Sequence, residues 1–96
     1  MRIKEAQRMM KELYYERDKR RGIERTFMWM VEEVGELSEA IMSGDEEKIS
    51  EEFADLIAWM FSLANVLQVD VEEVFLSKYD WKCPKCRENP CVCPEG

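Results

Sequence analysis

From Ile3 to Tyr79 the apolar residues of this chain recur at helical spacing and nowhere alternate, and no hairpin turn pair interrupts them before residue 80. That pattern leaves no strand to build a sheet from. A first segment over about 2–20 places Ile3, Ala6, Met9, Met10, Leu13 and Tyr14 on one face and ends in Arg17, Lys19, Arg20 and Arg21, a basic terminus that suits the helix dipole. Gly22 stops it. The second helix is predicted over about 25–43, ended by Gly44. Asp45 then caps a third over about 46–67, through Ile49, Phe53, Leu56, Ile57, Met60, Phe61, Ala64 and Leu67. Asp70, with Glu73 three residues on, opens a short fourth helix that ends near Tyr79. The short connections make neighbours antiparallel. The expected fold is therefore all-α: an antiparallel bundle of about four helices over 1–79, followed by a cysteine-rich tail over 80–96.

Ninety-six residues make one small domain. A core of this size is marginal alone, so the surplus apolar positions of the two long helices are expected to be buried against another subunit, as a dimer at least. The net charge of −7 argues against binding a nucleic-acid polymer, which needs a basic surface. The charge is also uneven, with ten acidic residues and one basic residue, Lys48, between Glu32 and Asp55. There is no histidine, which excludes Ser-His-Asp and Cys-His nucleophilic sites within the chain and every His-ligated metal site. The longest uncharged run, Leu56 to Val69, is 14 residues and too short to span a bilayer, so no membrane is expected. The start, Met1 to Glu5, has no apolar core of the signal-peptide kind, and a reducing cytoplasm is the expectation.

Two acidic pairs carry the chemistry. Glu33 and Glu36 are three apart on the second helix, and Glu52 and Asp55 are three apart on the third. On a helical wheel, Thr26, Leu37, Ala40 and Trp29 all fall within about 40° of Glu33. Trp59, Leu63 and Leu56 fall within about 40° of Glu52. Each helix thus puts one carboxylate inside its apolar arc and a second at the rim. Ionised carboxylates in a core cost several kcal/mol unless paired. A divalent cation between the helices is the simplest compensation, and all-oxygen ligation suits Mg²⁺ or Mn²⁺. A solvated acidic face, or pairing with basic residues of the first helix, is the competing explanation. Glu32, Glu39, Glu46, Glu47 and Glu51 are read as solvated.

The words Val31-Glu32-Glu33-Val34-Gly35-Glu36-Leu37 and Glu52-Phe53-Ala54-Asp55-Leu56 resemble the MazG-like nucleotide pyrophosphohydrolases, whose pattern is E-x-x-E, a gap, then E-x-x-D. Here the gap is fifteen residues. Ala40-Ile41 after the first pair, the Asp70, Glu72, Glu73 segment and Lys78 also look like the family, and the resemblance covers about residues 1–79. It implies an all-α bundle forming dimers or dimers of dimers. It further implies Mg²⁺-dependent hydrolysis of nucleoside triphosphates to monophosphate and pyrophosphate. Carried over by position, Glu33, Glu36, Glu52 and Asp55 are the implied metal ligands, and Glu32 an auxiliary carboxylate orienting water or ligand.

The end of the chain departs from that pattern. Many members follow the lysine with an asparagine and a further basic residue for substrate, whereas here Lys78 is followed by Tyr79, Asp80 and Trp81. Asn65 does not obviously replace that asparagine. Arg17, Lys19, Arg20, Arg21 and Arg25 are the candidates to contact phosphate, across a dimer interface among other routes, with a solvated loop as the other reading. Trp29 and Trp59, at nearly the same wheel position beside the acidic pairs, either line a base pocket or pack as core.

Cys83, Cys86, Cys91 and Cys93 are spaced C-x2-C-x4-C-x-C. The first half is a zinc-knuckle element, and the second pair allows a four-thiolate Zn²⁺ site; an iron–sulfur cluster, disulfides or free thiols are the alternatives. Two functions follow. One is a metal-dependent pyrophosphohydrolase acting on a nucleoside triphosphate. The other is a non-catalytic helical dimer that docks a protein partner through its cysteine tail.

Overall fold

A computed structural model describes residues 1–95, and among these there are helices and no strands. Helix α1 runs Ile3–Arg21, α2 Ile23–Ser43, α3 Glu46–Leu67 and α4 Val71–Lys78. The expected all-α class and the order of the elements hold. The main difference lies at the first turn, where α2 begins two residues earlier than its periodicity suggests. Gly22 alone separates it from α1, with φ 92° and ψ 164°. An L-residue rarely adopts that φ, so the one-residue reversal depends on glycine. Gly44 closes α2 at φ 73°, its N–H bonded to the carbonyls of Ala40 and Ile41.

The caps read from sequence are present. Asp45 Oδ1 accepts the N–H groups of Glu47 and Lys48 at 3.1 and 3.2 Å, and Asp70 Oδ1 accepts that of Glu73 at 3.1 Å. Around Asp70, Gln7 stitches α1 to the α3–α4 corner. Its amide donates to Asn65 Oδ1 and the Val69 carbonyl and accepts from the Val71 N–H, while Asn65 Nδ2 returns to the Gln7 carbonyl. Asn65 is buried in this exchange and is structural.

Helix α3 is central, packing most extensively on α2 and also on α1. The pairs Trp29–Trp59 and Glu33–Glu52 show that α2 and α3 run antiparallel, because the number rises on one helix as it falls on the other. Among the described residues no single helix is long and apolar enough to cross a membrane.

The interior is unusual for a helical bundle. Of the described apolar residues only Ala40 and Ala64 are buried, against five polar ones: Asp18, Thr26, Glu52, Ser62 and Asn65. Many large apolar side chains lie outside instead, while Leu37, Leu56, Phe61 and Leu63 are half-buried. On α2 the exposed ones include Phe27, Val31, Val34 and Ile41, and on α3 Phe53, Ile57, Met60 and Leu67. Both sets follow the spacing i, i+4, i+7, i+14, one continuous stripe on each helix.

Candidate active site

The inner faces of α2 and α3 bring Glu33, Glu36 and Glu52 together, with one carboxylate oxygen from each inside a mutual 4.8 Å. Glu52 is buried, Glu33 half-buried and Glu36 exposed at the rim, in the order the wheel predicts. Glu33 Oε2 and Glu52 Oε2 are both shut away from solvent without a hydrogen-bond partner. A buried carboxylate oxygen left in that state is costly. Both carboxyls also bind protons more tightly than an ordinary glutamate does. Burial first, then the charges of Glu36, Asp55 and Glu52, raises Glu33 above the usual carboxylate range. Burial, then Glu36 and Asp55, does the same for Glu52. Two orphaned oxygens facing a third carboxylate fit a divalent cation; a solvated acidic face would leave them wet.

Asp55 is outside that trio. It lines the adjoining cavity of about 350 Å³, with Tyr14, Arg17, Arg21, Trp29 and Trp59. Its charge still reaches Glu33 and Glu52, so it stands where the carboxylate cluster opens into the cavity.

The aromatic pair faces this cavity too. Trp29 and Trp59 meet edge to face, with centroids 5.7 Å apart at 79°. The Arg21 guanidinium lies 4.7 Å from the centre of one ring and 4.9 Å from the other, so an arginine already packs against both indoles. Arg21 Nη1 donates to Asp18 Oδ1 at 2.8 Å and to Thr26 Oγ1 at 3.4 Å. Asp18 is 2% exposed and Thr26 fully buried, and Asp18 Oδ2 has no partner. Sequence reasoning passed over Asp18, which stands in a run of charges three residues from the end of α1. Its signal was there in hindsight: an acid one turn before a basic helix end, three residues from Arg21.

The remaining candidates are spread out. Glu32 and Arg25 are exposed on α2. Lys78 is at the end of α4, with its ammonium 5.8 Å from the Tyr79 ring, and lines a separate cleft with Trp81 and Lys82. The structure does not bring it to the carboxylates of its own chain.

The cysteines form the second cluster, their four Sγ atoms all within 4.8 Å of one another, a set able to hold a metal. N–H groups of Val92 and Glu88 directed at Cys86 hold its thiol down at about 6, and N–H groups of Cys86 and Lys85 lower Cys83. Hydrogen bonds with the sulfurs of Cys91, Cys83 and Cys86 push Cys93 up to about 12.

A family model described as the MazG nucleotide pyrophosphohydrolase domain matches residues 21–87. The match takes in both acidic pairs, the aromatic pair and the first half of the cysteine cluster, while nearly all of α1 precedes it. No curated relative matches the chain. With more than half of its length matched, and with the carboxylates of both motifs converging between α2 and α3, the chain belongs to the MazG nucleotide pyrophosphohydrolase domain family.

Proposed function

We propose that this protein hydrolyses nucleoside triphosphates to the monophosphate and pyrophosphate, with Glu33, Glu36 and Glu52 holding Mg²⁺ or Mn²⁺ and Asp55 adding a fourth carboxylate at the cavity side. The observation that carries this reading is the pair of buried, unpartnered glutamate oxygens between α2 and α3. A cation bound there supplies phosphate charge neutralisation and a more acidic water for hydrolysis.

The chain's own residues do the rest. Glu33 and Glu52 bind the cation in competition with protons, because both carboxyls are raised above the ordinary glutamate value. Arg17 and Arg21 are the cations that line the cavity beside Asp55 and meet the nucleotide's negative charge. Trp29 and Trp59 form the cavity's aromatic wall, and a base stacking there has to displace the Arg21 guanidinium. The Asp18 ion pair sets where that guanidinium rests, since it anchors Arg21 from the buried side.

The assay is pyrophosphate release from a panel of canonical and damaged nucleotides with Mg²⁺ and Mn²⁺, run in ¹⁸O-labelled water. Label is expected in the monophosphate, from attack at the α-phosphorus. Label in pyrophosphate, or diphosphate and phosphate as products, refutes this chemistry. No turnover on any nucleotide favours the non-catalytic interaction module.

We also propose that the protein works as a homodimer or dimer of dimers. The exposed stripes of α2 and α3 are the reason: Phe27 is 50% and Phe53 57% exposed. Fully burying a side chain of this kind contributes about 1.5–3 kcal/mol. Two copies packed stripe to stripe gain that several times over, and the carboxylate site on the inner faces stays open to its own cavity. Light scattering at tens of micromolar should give at least twice the chain mass, and Phe53→Glu should shift the protein toward monomer. A native monomer under those conditions contradicts the assembly. We assign it to a reducing, cytoplasmic compartment, where the tail's thiols remain free to bind metal.

A further inference from the structure

The tail after α4 reverses direction without an apolar core. Among its described residues none is buried, and its large apolar side chains are out in solvent, Trp81 at 89% exposed and Val92 at 68%. Its hydrogen bonds make a turn rather than a packed unit. The Arg87 N–H donates to the Cys83 carbonyl at 2.8 Å and the Cys83 N–H to the Glu88 carbonyl at 3.0 Å, with Arg87 at φ 65°. Around this turn four sulfurs converge, and no hydrophobic burial accounts for it.

The spacing of those sulfurs is informative. Cys83 and Cys93 Sγ are 3.7 Å apart, and Cys86 and Cys91 Sγ 3.9 Å. All four are free thiols, well beyond the roughly 2.05 Å of a disulfide. Four sulfurs at tetrahedral corners about 2.3 Å from one ion are about 3.8 Å from each other. An iron–sulfur cluster distributes its cysteines over several iron atoms and spreads them wider than one such tetrahedron. Two backbone donors already point at sulfur: Val92 N–H at Cys86 Sγ, 3.5 Å, and Cys93 N–H at Cys91 Sγ, 3.3 Å. Such donors suit sulfurs that carry the charge of a metal ligand.

We propose that Cys83, Cys86, Cys91 and Cys93 bind one Zn²⁺ as a mononuclear four-thiolate site that folds the tail. Four thiolates around a divalent ion leave a charge of −2, and Lys82, Lys85 and Arg87 in the same turn offset it. The site is closed, with four protein ligands and no open position, so its role is structural. It is also chemically distinct from the carboxylate cluster. Soft thiolates select zinc while the all-oxygen site selects a hard cation, so one small chain sorts two metals by ligand type. The inference does not depend on the hydrolase reading, and either can fail alone.

The test uses untagged, full-length protein purified under reducing conditions. Elemental analysis should find about one zinc per chain. Replacing it with Co²⁺ should produce the intense visible bands of a tetrahedral site together with thiolate-to-cobalt charge transfer. Thiol titration should find the four cysteines protected in the native protein and all four reactive after a strong chelator. Cys83→Ser with Cys91→Ser should lose the zinc while the helical circular dichroism persists. Should that variant aggregate, the chelator titration of the native chain still decides. Four thiols reactive from the outset, two disulfides by mass, or iron in place of zinc would each overturn the proposal.

Discussion

Glu52→Gln should release pyrophosphate at less than about one hundredth of the native rate while its helices stay intact. Loss of a residue that merely orients a metal ligand already costs about 10–100-fold in metal affinity or activity, so loss of a ligand charge sets the upper end of that range as a floor. The substitution keeps the side-chain volume and removes one charge. The fold should therefore survive, and the metal-free protein should become more stable, because Glu52 faces Glu36 and Asp55 as like charges. Glu36→Gln should behave in the same direction from the rim of the cluster. Glu39→Gln is the control: it is exposed on the same helix, outside the cluster, and should change the rate little. Calorimetric titration with Mg²⁺ separates lost metal binding from lost chemistry. Full activity in both the Glu36 and Glu52 variants would remove the carboxylate site from the mechanism and leave the interaction module as the better account.

The helices were legible because each rule that defines them is local. Asp45 and Asp70 cap where the sequence puts them, and Gly44 stops α2 through its own positive φ. The burial of Glu33 and Glu52 was legible for a related reason, since angular position on a helix follows from residue number alone. What lay beyond the sequence depends on which neighbour fills a gap. The wheel puts Asp55 at the rim but cannot say that it turns toward the cavity lined by Arg21 and the tryptophans. Neither can it say that the indole faces are taken by a guanidinium, because Arg21 arrives from α1 around the one-residue turn at Gly22. Asp18 escaped notice for the same reason. Its importance comes from burial between helices, and its neighbours in sequence, Arg17 and Lys19, disguise it as part of a solvated run. The Gln7–Asn65 exchange joins residues 58 apart, and neither residue type announces a partner.

Adding Mg²⁺ at neutral pH should raise the melting temperature by about 10–20 °C, and the gain should shrink toward zero as the pH falls to the ordinary glutamate range. The sign follows from the two raised carboxyls. Glu33 and Glu52 both bind protons more tightly in the folded chain than at their ordinary value of 4.5. Between that value and the raised ones the folded state holds more protons than the unfolded state, so metal-free stability falls as pH rises through the window. Below 4.5 both states are protonated and the contribution is fully present. A cation competes with those same protons, so it gains most where they have left. At a hundred times its dissociation constant it adds about 2.7 kcal/mol, and a domain of this size gains about 4–8 °C for each kcal/mol. Protein concentration must be held constant, because association would raise the melting temperature by itself. Glu33→Gln and Glu52→Gln should each flatten the metal-free pH slope and shrink the Mg²⁺ response, whereas Glu39→Gln should alter neither. A melting temperature that ignores Mg²⁺ at every pH would mean that the two orphaned oxygens are satisfied by protons and water alone, and that the inner faces of α2 and α3 meet without a metal between them.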